Sequence, residues 1–110
     1  MPKAIWQDTL LAESDETIVI EGNHYFPPQD VKWEYLQGCS TRRQSTWKGQ
    51  AVCFDIVVGH EINEAAAWSY PNPHPPAENL RDYVAFWKGV DIVLEPEPVP
   101  VYARYGRRRR

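Results

Sequence analysis

The sequence predicts an all-β domain, a single small unit of bent antiparallel sheets built from hairpins with one or two short helical turns. Three observations carry this. Short runs rich in β-branched and aromatic residues recur: TIVI at 17–20, AVCFDIVV at 51–58 and YVAFW at 83–87. Tight-turn signals separate them, at Glu21-Gly22-Asn23, Gly59-His60 and Lys88-Gly89, where glycine accepts a positive φ at no steric cost. Prolines close the runs, at Pro27-Pro28 and at Pro71, because proline gives no N–H to a ladder.

In order, residues 3–11 (KAIWQDTLL) read as a first strand and 12–16 (AESDE) as a turn. Residues 17–20 and His24-Tyr25-Phe26 flank the Gly22 turn as a hairpin. One helical turn is expected at 28–31. Residues 32–36 (KWEYL) alternate as a strand with Trp33 and Tyr35 on one face. Residues 37–46 (QGCSTRRQST) read as a polar loop of the kind that often carries binding residues. Residues 47–58 are strand-like, with a bulge or turn at Lys48-Gly49. Residues 61–70 (EINEAAAWSY) contain good helix formers, but their glycine entry and proline exit favour a strand. Residues 71–76 (PNPHPP) are stiff and extended, 77–82 form a short helix, and 83–87 pair with 90–94 as a final hairpin. The sum is seven or eight strands, as a barrel, a sandwich or a bent pair of sheets.

Composition bounds the rest. The chain has 110 residues, 43% hydrophobic and 25% charged, as expected of one globular domain. No apolar run of about 18 residues is present to span a bilayer, and the N-terminal residues lack the apolar core of a signal peptide. A cytoplasmic setting is therefore expected. Cys39 and Cys53 make no disulfide framework, and two buried free thiols suit that setting, although they are able to pair. Residues 1–103, the expected domain, hold all 15 acids against 7 lysines and arginines, while 104–110 (RYGRRRR) form a basic tail. Through Arg107, Arg108, Arg109 and Arg110 that tail is a candidate contact for nucleic acid or an anionic membrane.

The segments HYFPPQDV, STWKGQAVCFDI, NEAAAWSYPNPHPP and LRDYVAFWKGVDI resemble the family called domain of unknown function 427, over about residues 5–94. Its sharpest pieces here are Trp47-Lys48-Gly49, the run from Ala66 to Pro71 (AAWSYP), and Tyr83-Val84-Ala85-Phe86. The resemblance implies a tent-like pair of bent antiparallel sheets, the Mss4-like fold, and a nucleotidyltransferase-like label. Zinc held between paired Cys-x-x-Cys turns is not implied, because this chain has no such pair. Ser45 stands where the family often has a cysteine, which leaves any thiol chemistry of the family without its residue here.

The parts that nucleotidyl transfer needs are missing: the chain has no Asp-x-Asp, no glycine-rich loop and no phosphate-binding GxxxxGK[ST]. His24, His60 and His74 lack metal-ligand spacing, so no metal and no cofactor is expected. Cys39, Ser40, Ser45 and Thr46 are possible nucleophiles with no base placed beside them by sequence. The aromatic residues are more informative. Trp33, Trp47, Trp68, Tyr70 and Trp87 suit either a core or one concave wall, and such a wall stacks on flat or cationic molecules. Trp68 and Tyr70 share a strand face that Pro71 ends. The expected ligand site is Tyr25, Thr41, Arg42, Trp47, Lys48, Trp68 and Tyr70, binding an unidentified small molecule. The alternatives are a protein–protein or homodimerisation module, which would use strand edges or the proline-rich bend, and an enzyme acting on a nucleotide-like substrate.

Overall fold

The computed structural model describes residues 1–45 and 48–94, with the side chains of 41–45 outside that description. The expectations for Trp47, for residues 95–103 and for the basic tail at 104–110 lie outside the described residues. Nine strands occur among those described: β1 (Lys3–Trp6), β2 (Thr9–Glu13), β3 (Ile18–Ile20), β4 (Asn23–Tyr25), β5 (Leu36–Ser45), β6 (Gly49–Val58), β7 (Glu61–Ser69), β8 (Val84–Phe86) and β9 (Asp91–Val93). They form antiparallel sheets ordered β2-β1-β9, β3-β4 and β5-β6-β7-β8. Three 3-10 turns, Pro28–Asp30, Trp33–Tyr35 and Pro75–Leu80, supply the helical content.

The sheets are tied together at few points. Phe26 and Val84 exchange backbone hydrogen bonds of 2.8 and 2.9 Å, which join the β3–β4 hairpin to the edge of the four-stranded sheet. The β8–β9 connection turns at Lys88-Gly89 and carries the chain from one sheet to the other. Between the three-stranded and four-stranded sheets lies an apolar core that includes Leu11, Phe26, Ile56, Val84 and Phe86. Each is at most 5% exposed. Burying side chains of this size contributes roughly 1.5–3 kcal/mol each. A second interior, around Tyr25, Ala51, Tyr70, Ala77, Leu80 and Ala85, occupies the side facing the β3–β4 hairpin.

The turns at Gly22 and Gly59, the strand at 61–70 and the 3-10 turn after Pro27 match the sequence expectations. Five expectations do not hold. Residues 3–11 do not form one strand. Gln7 and Asp8 both adopt positive φ and fold the segment into the β1–β2 hairpin, because pairing brings Ala4 against Ala12 in the core. Residues 33–35 form a 3-10 turn, since Trp33 donates its indole N–H to the Pro28 carbonyl at 2.8 Å and packs edge-on to Phe54. The polar stretch at 37–45 is a strand. As the edge of its sheet it needs no apolar alternation, and its ladder to β6 defines it. Residues 83–87 and 90–94 do not pair. β8 is already bonded to β7 and bridged to Phe26, so β9 finds its ladder on β1. Finally, Cys39 and Cys53 are not two free thiols. They form a disulfide across β5 and β6, with Cα atoms 5.4 Å apart. The ladder jumps from Gly38–Phe54 to Arg42–Val52, and the bulge delivers Cys39 to Cys53. The rarity of cytosolic disulfides speaks to compartment, not to this geometry.

Candidate functional site

The second interior is incompletely filled. A cavity of about 320 Å³ opens in it, near the lower end of small-molecule sites. Its form follows from side-chain size along β6 and β7. Ala51, Cys53, Ala65 and Ala67 line it with small groups, and Tyr25, Trp68, Tyr70 and Trp87 line it with large ones. Small residues beneath large ones leave a hollow that neighbouring side chains do not reach.

The aromatic walls fix one another. Trp68 stands edge-on to Tyr25 at 6.1 Å and to Trp87 at 6.2 Å, while Tyr25 and Tyr70 lie tilted at 6.4 Å. The Trp68 indole N–H donates to the Tyr25 hydroxyl at 3.3 Å. Trp68 and Tyr70 share this side because alternate residues of a strand do. Trp87 is held through a β-bulge. Opposite Asp55, β7 carries extra residues between Asn63 and Ala67, and Ala65 is forced to a φ of +52°. The Asp55 carboxylate accepts the Ala65 N–H at 2.8 Å, and the Ala65 carbonyl accepts the Trp87 indole N–H at 2.8 Å. A non-glycine residue in this conformation costs about 1–2 kcal/mol, and both of its peptide groups are satisfied here.

Lys48 enters from the β5–β6 turn. Its backbone carbonyl accepts the His74 N–H at 3.2 Å. The next residue, Gly49, has a φ of +101° and lies so close to the 72–74 backbone that a Cβ would sit 3.1 Å from the Asn72 carbonyl oxygen. The proline-rich segment therefore braces the turn that carries Lys48. That segment is itself pinned by Arg81, which donates to the Pro71 carbonyl at 3.0 Å. Lys48 is 6% exposed. Its Nζ donates to the Glu21 carboxylate at 2.5 Å and lies 5.8 Å from the Tyr70 ring centre. Burial works to lower the Lys48 pKa, but the hydrogen bond to Glu21 and the adjacent Tyr25 and Tyr70 outweigh it, so the amine sits above its ordinary 10.5. Burial chiefly, with Tyr25 adding, raises Tyr70 above its ordinary 10.0, and Lys48 opposes this. At neutral pH the site therefore holds a protonated amine and a neutral phenol, a pair that donates hydrogen bonds.

Of the residues expected from sequence, Tyr25, Lys48, Trp68 and Tyr70 meet around this one cavity. Thr41 and Arg42 lie on β5, with side chains outside the described residues, and Trp47 lies wholly outside them. Trp33 belongs elsewhere, packed on Phe54. Sequence reasoning did not include Glu21, Trp87, Lys88 or Cys53 in the site. Trp87 had a signal, its place in the aromatic set. Glu21 had none, since a turn acid carries no mark of its partner 27 residues away. Among the described residues, no three of His, Cys, Asp and Glu cluster as metal ligands would. No described helix is long and apolar enough to cross a membrane.

Antiparallel β-sheets with an aromatic hollow on one side define a small all-β domain with a candidate pocket. The sequence profile of the family described as domain of unknown function (DUF427) matches residues 3–96, and the chain belongs to that family. A search among curated proteins finds no match.

Proposed function

We propose that this domain binds a small, flat organic molecule in the aromatic cavity. One observation carries the reading: a lysine, 6% exposed as a residue, lines a hollow walled by two tyrosines and two tryptophans. A largely buried lysine is uncommon where packing alone is served, since an apolar side chain fills the same space. Aromatic faces supply stacking area, and Lys48 with the Tyr25 and Tyr70 hydroxyls supplies a few directed polar contacts, the usual division of labour in small-molecule sites. The protonation states suit recognition more than proton abstraction. A base or nucleophile needs a lowered lysine or tyrosine pKa, and both shifts run upward.

A thermal-melt screen against a metabolite library tests this. A binder at 100 times its Kd stabilises the native state by about 2.7 kcal/mol. The expected result is a compound that raises Tm for the parent chain but not for Trp68→Ala or Tyr70→Ala. If no compound shifts the melt, or if both variants shift as the parent does, the cavity is not a ligand site. Dimerisation in sedimentation runs would then favour the interaction-module reading.

A further inference from the structure

We infer that the molecule bound in this cavity is a flat organic anion, whose carboxylate or phosphate group replaces the Glu21 carboxylate on the Lys48 ammonium. This rests on the ligand-binding reading and adds the charge class and the exchange.

The charge balance of the wall supports it. Over residues 1–103 acids outnumber lysines and arginines 15 to 7, a balance that disfavours an anion at long range. The cavity wall reverses this, with Lys48 and Lys88 against Glu21. The protein's own cations also lie near two of the ring faces. Lys48 Nζ is 5.8 Å from the Tyr70 ring centre and Lys88 Nζ 5.6 Å from that of Trp87. A cationic ligand would compete with both amines for those faces and be repelled by them. An anion is attracted to both.

The ion pair is built asymmetrically. The Lys48 side chain is 8% exposed and that of Glu21 58%. Lys48 is anchored from behind by the His74 contact and by Gly49 packed on Asn72. Glu21 sits on the tip of the β3–β4 hairpin, at a φ of +56°. When a ligand oxyanion takes the amine, Glu21 regains water at little cost while Lys48 is never left buried and unpaired. Breaking the pair from the lysine side would instead leave a buried uncompensated charge. Glu21 thus acts as a resident counter-ion that an incoming anion displaces.

Four probes that share one ring system and differ in charge test the inference: 2-naphthoate, 2-naphthyl phosphate, 2-naphthalenemethanol and 2-naphthylmethylammonium, titrated by calorimetry. One or both anions are expected to bind about tenfold or more tightly than the alcohol and the ammonium, a charge-assisted hydrogen bond being the difference. Which anion wins separates carboxylate from phosphate. Glu21→Gln, an exposed and structurally mild change, removes the competing charge and is expected to tighten anion binding about threefold or more. Lys48→Met is expected to reduce the anion to the affinity of the alcohol, and Lys48→Arg, which keeps the charge if the Met variant fails to fold, to retain the preference. Equal or tighter binding of the ammonium or the alcohol overturns the charge class while leaving the pocket standing, and so does weaker anion binding in Glu21→Gln. Failure of all four probes, together with a silent melt screen, overturns the pocket as well.

Discussion

Tyr25 and Phe26 are consecutive and differ by one hydroxyl, yet they belong to two different interiors. Phe26 points between the sheets, edge-on to Phe86 at 5.8 Å, among Leu11, Ile56 and Val84. Tyr25 points the other way, to Tyr70 and Trp68, over Ala51 and Ala85. The end of β4 and the residue that follows it thus supply, respectively, a hollow and a filled core. The difference lies in the neighbours. Leucine, isoleucine and valine complete the first interior. Alanines occur in both interiors, but around the second the small Ala51, Cys53, Ala65 and Ala67 line an unfilled space in which the aromatic polar tips meet Lys48 and Glu21. The first holds the fold together, and the second is the one proposed to receive a ligand.

That contrast can be broken at several places. The largest effect is expected at Phe26→Ala, about 3–5 kcal/mol of stability lost in urea unfolding, because the cavity it makes lies in a packed core. Trp68→Ala borders space that is already open and is expected to cost clearly less. Equal losses would erase the distinction between the two interiors. Removing the disulfide with Cys39→Ser and Cys53→Ser together is expected to cost about 3 kcal/mol, the value for a loop of some 15 residues, by the same measurement. Asp55→Ala withdraws the acceptor of the strained Ala65 N–H. A loss of about 1–3 kcal/mol is expected, with altered Trp87 fluorescence because the bulge also positions that indole.

The smallest effect is in pH. Tyr70 and Lys48 both have folded pKa values above their ordinary 10.0 and 10.5. The unfolded chain therefore loses these protons first, and above about pH 10 it binds fewer than the native state. Their contribution is constant through neutral pH and is lost as pH rises from the unfolded values through the folded ones. Tyr70→Phe should flatten part of that alkaline decline, and a decline unchanged in the variant would assign it to other groups.

Much of this was legible in the sequence, and the missing parts share a cause. The facing of Trp68 and Tyr70 follows from period-two alternation ended by Pro71, and the Gly22 and Gly59 turns follow from glycine. Tyr25 and Lys48 were expected at the site, though nothing local placed them against each other. What escaped is long-range or edge structure. β5 has no apolar alternation because an edge strand needs none. The partner of β9 is β1, at the other end of the described chain. The Cys39–Cys53 bond depends on a bulge, and Glu21 reaches Lys48 only after a hairpin folds over the sheet. None of these leaves a mark in local periodicity.

The central claim is that the alanine-floored interior, and not the filled core, receives a ligand. The most direct measurement is a nitrogen–proton NMR titration of the tryptophan indole resonances with 2-naphthoate, each assigned by single substitution. Trp68 and Trp87 line the cavity, whereas Trp6 packs on the core and Trp33 on Phe54. The account predicts that the indole signals of Trp68 and Trp87 move and saturate together while those of Trp6 and Trp33 stay in place. Equal movement of Trp6 and Trp33, or no movement of Trp68 at millimolar probe, would contradict it.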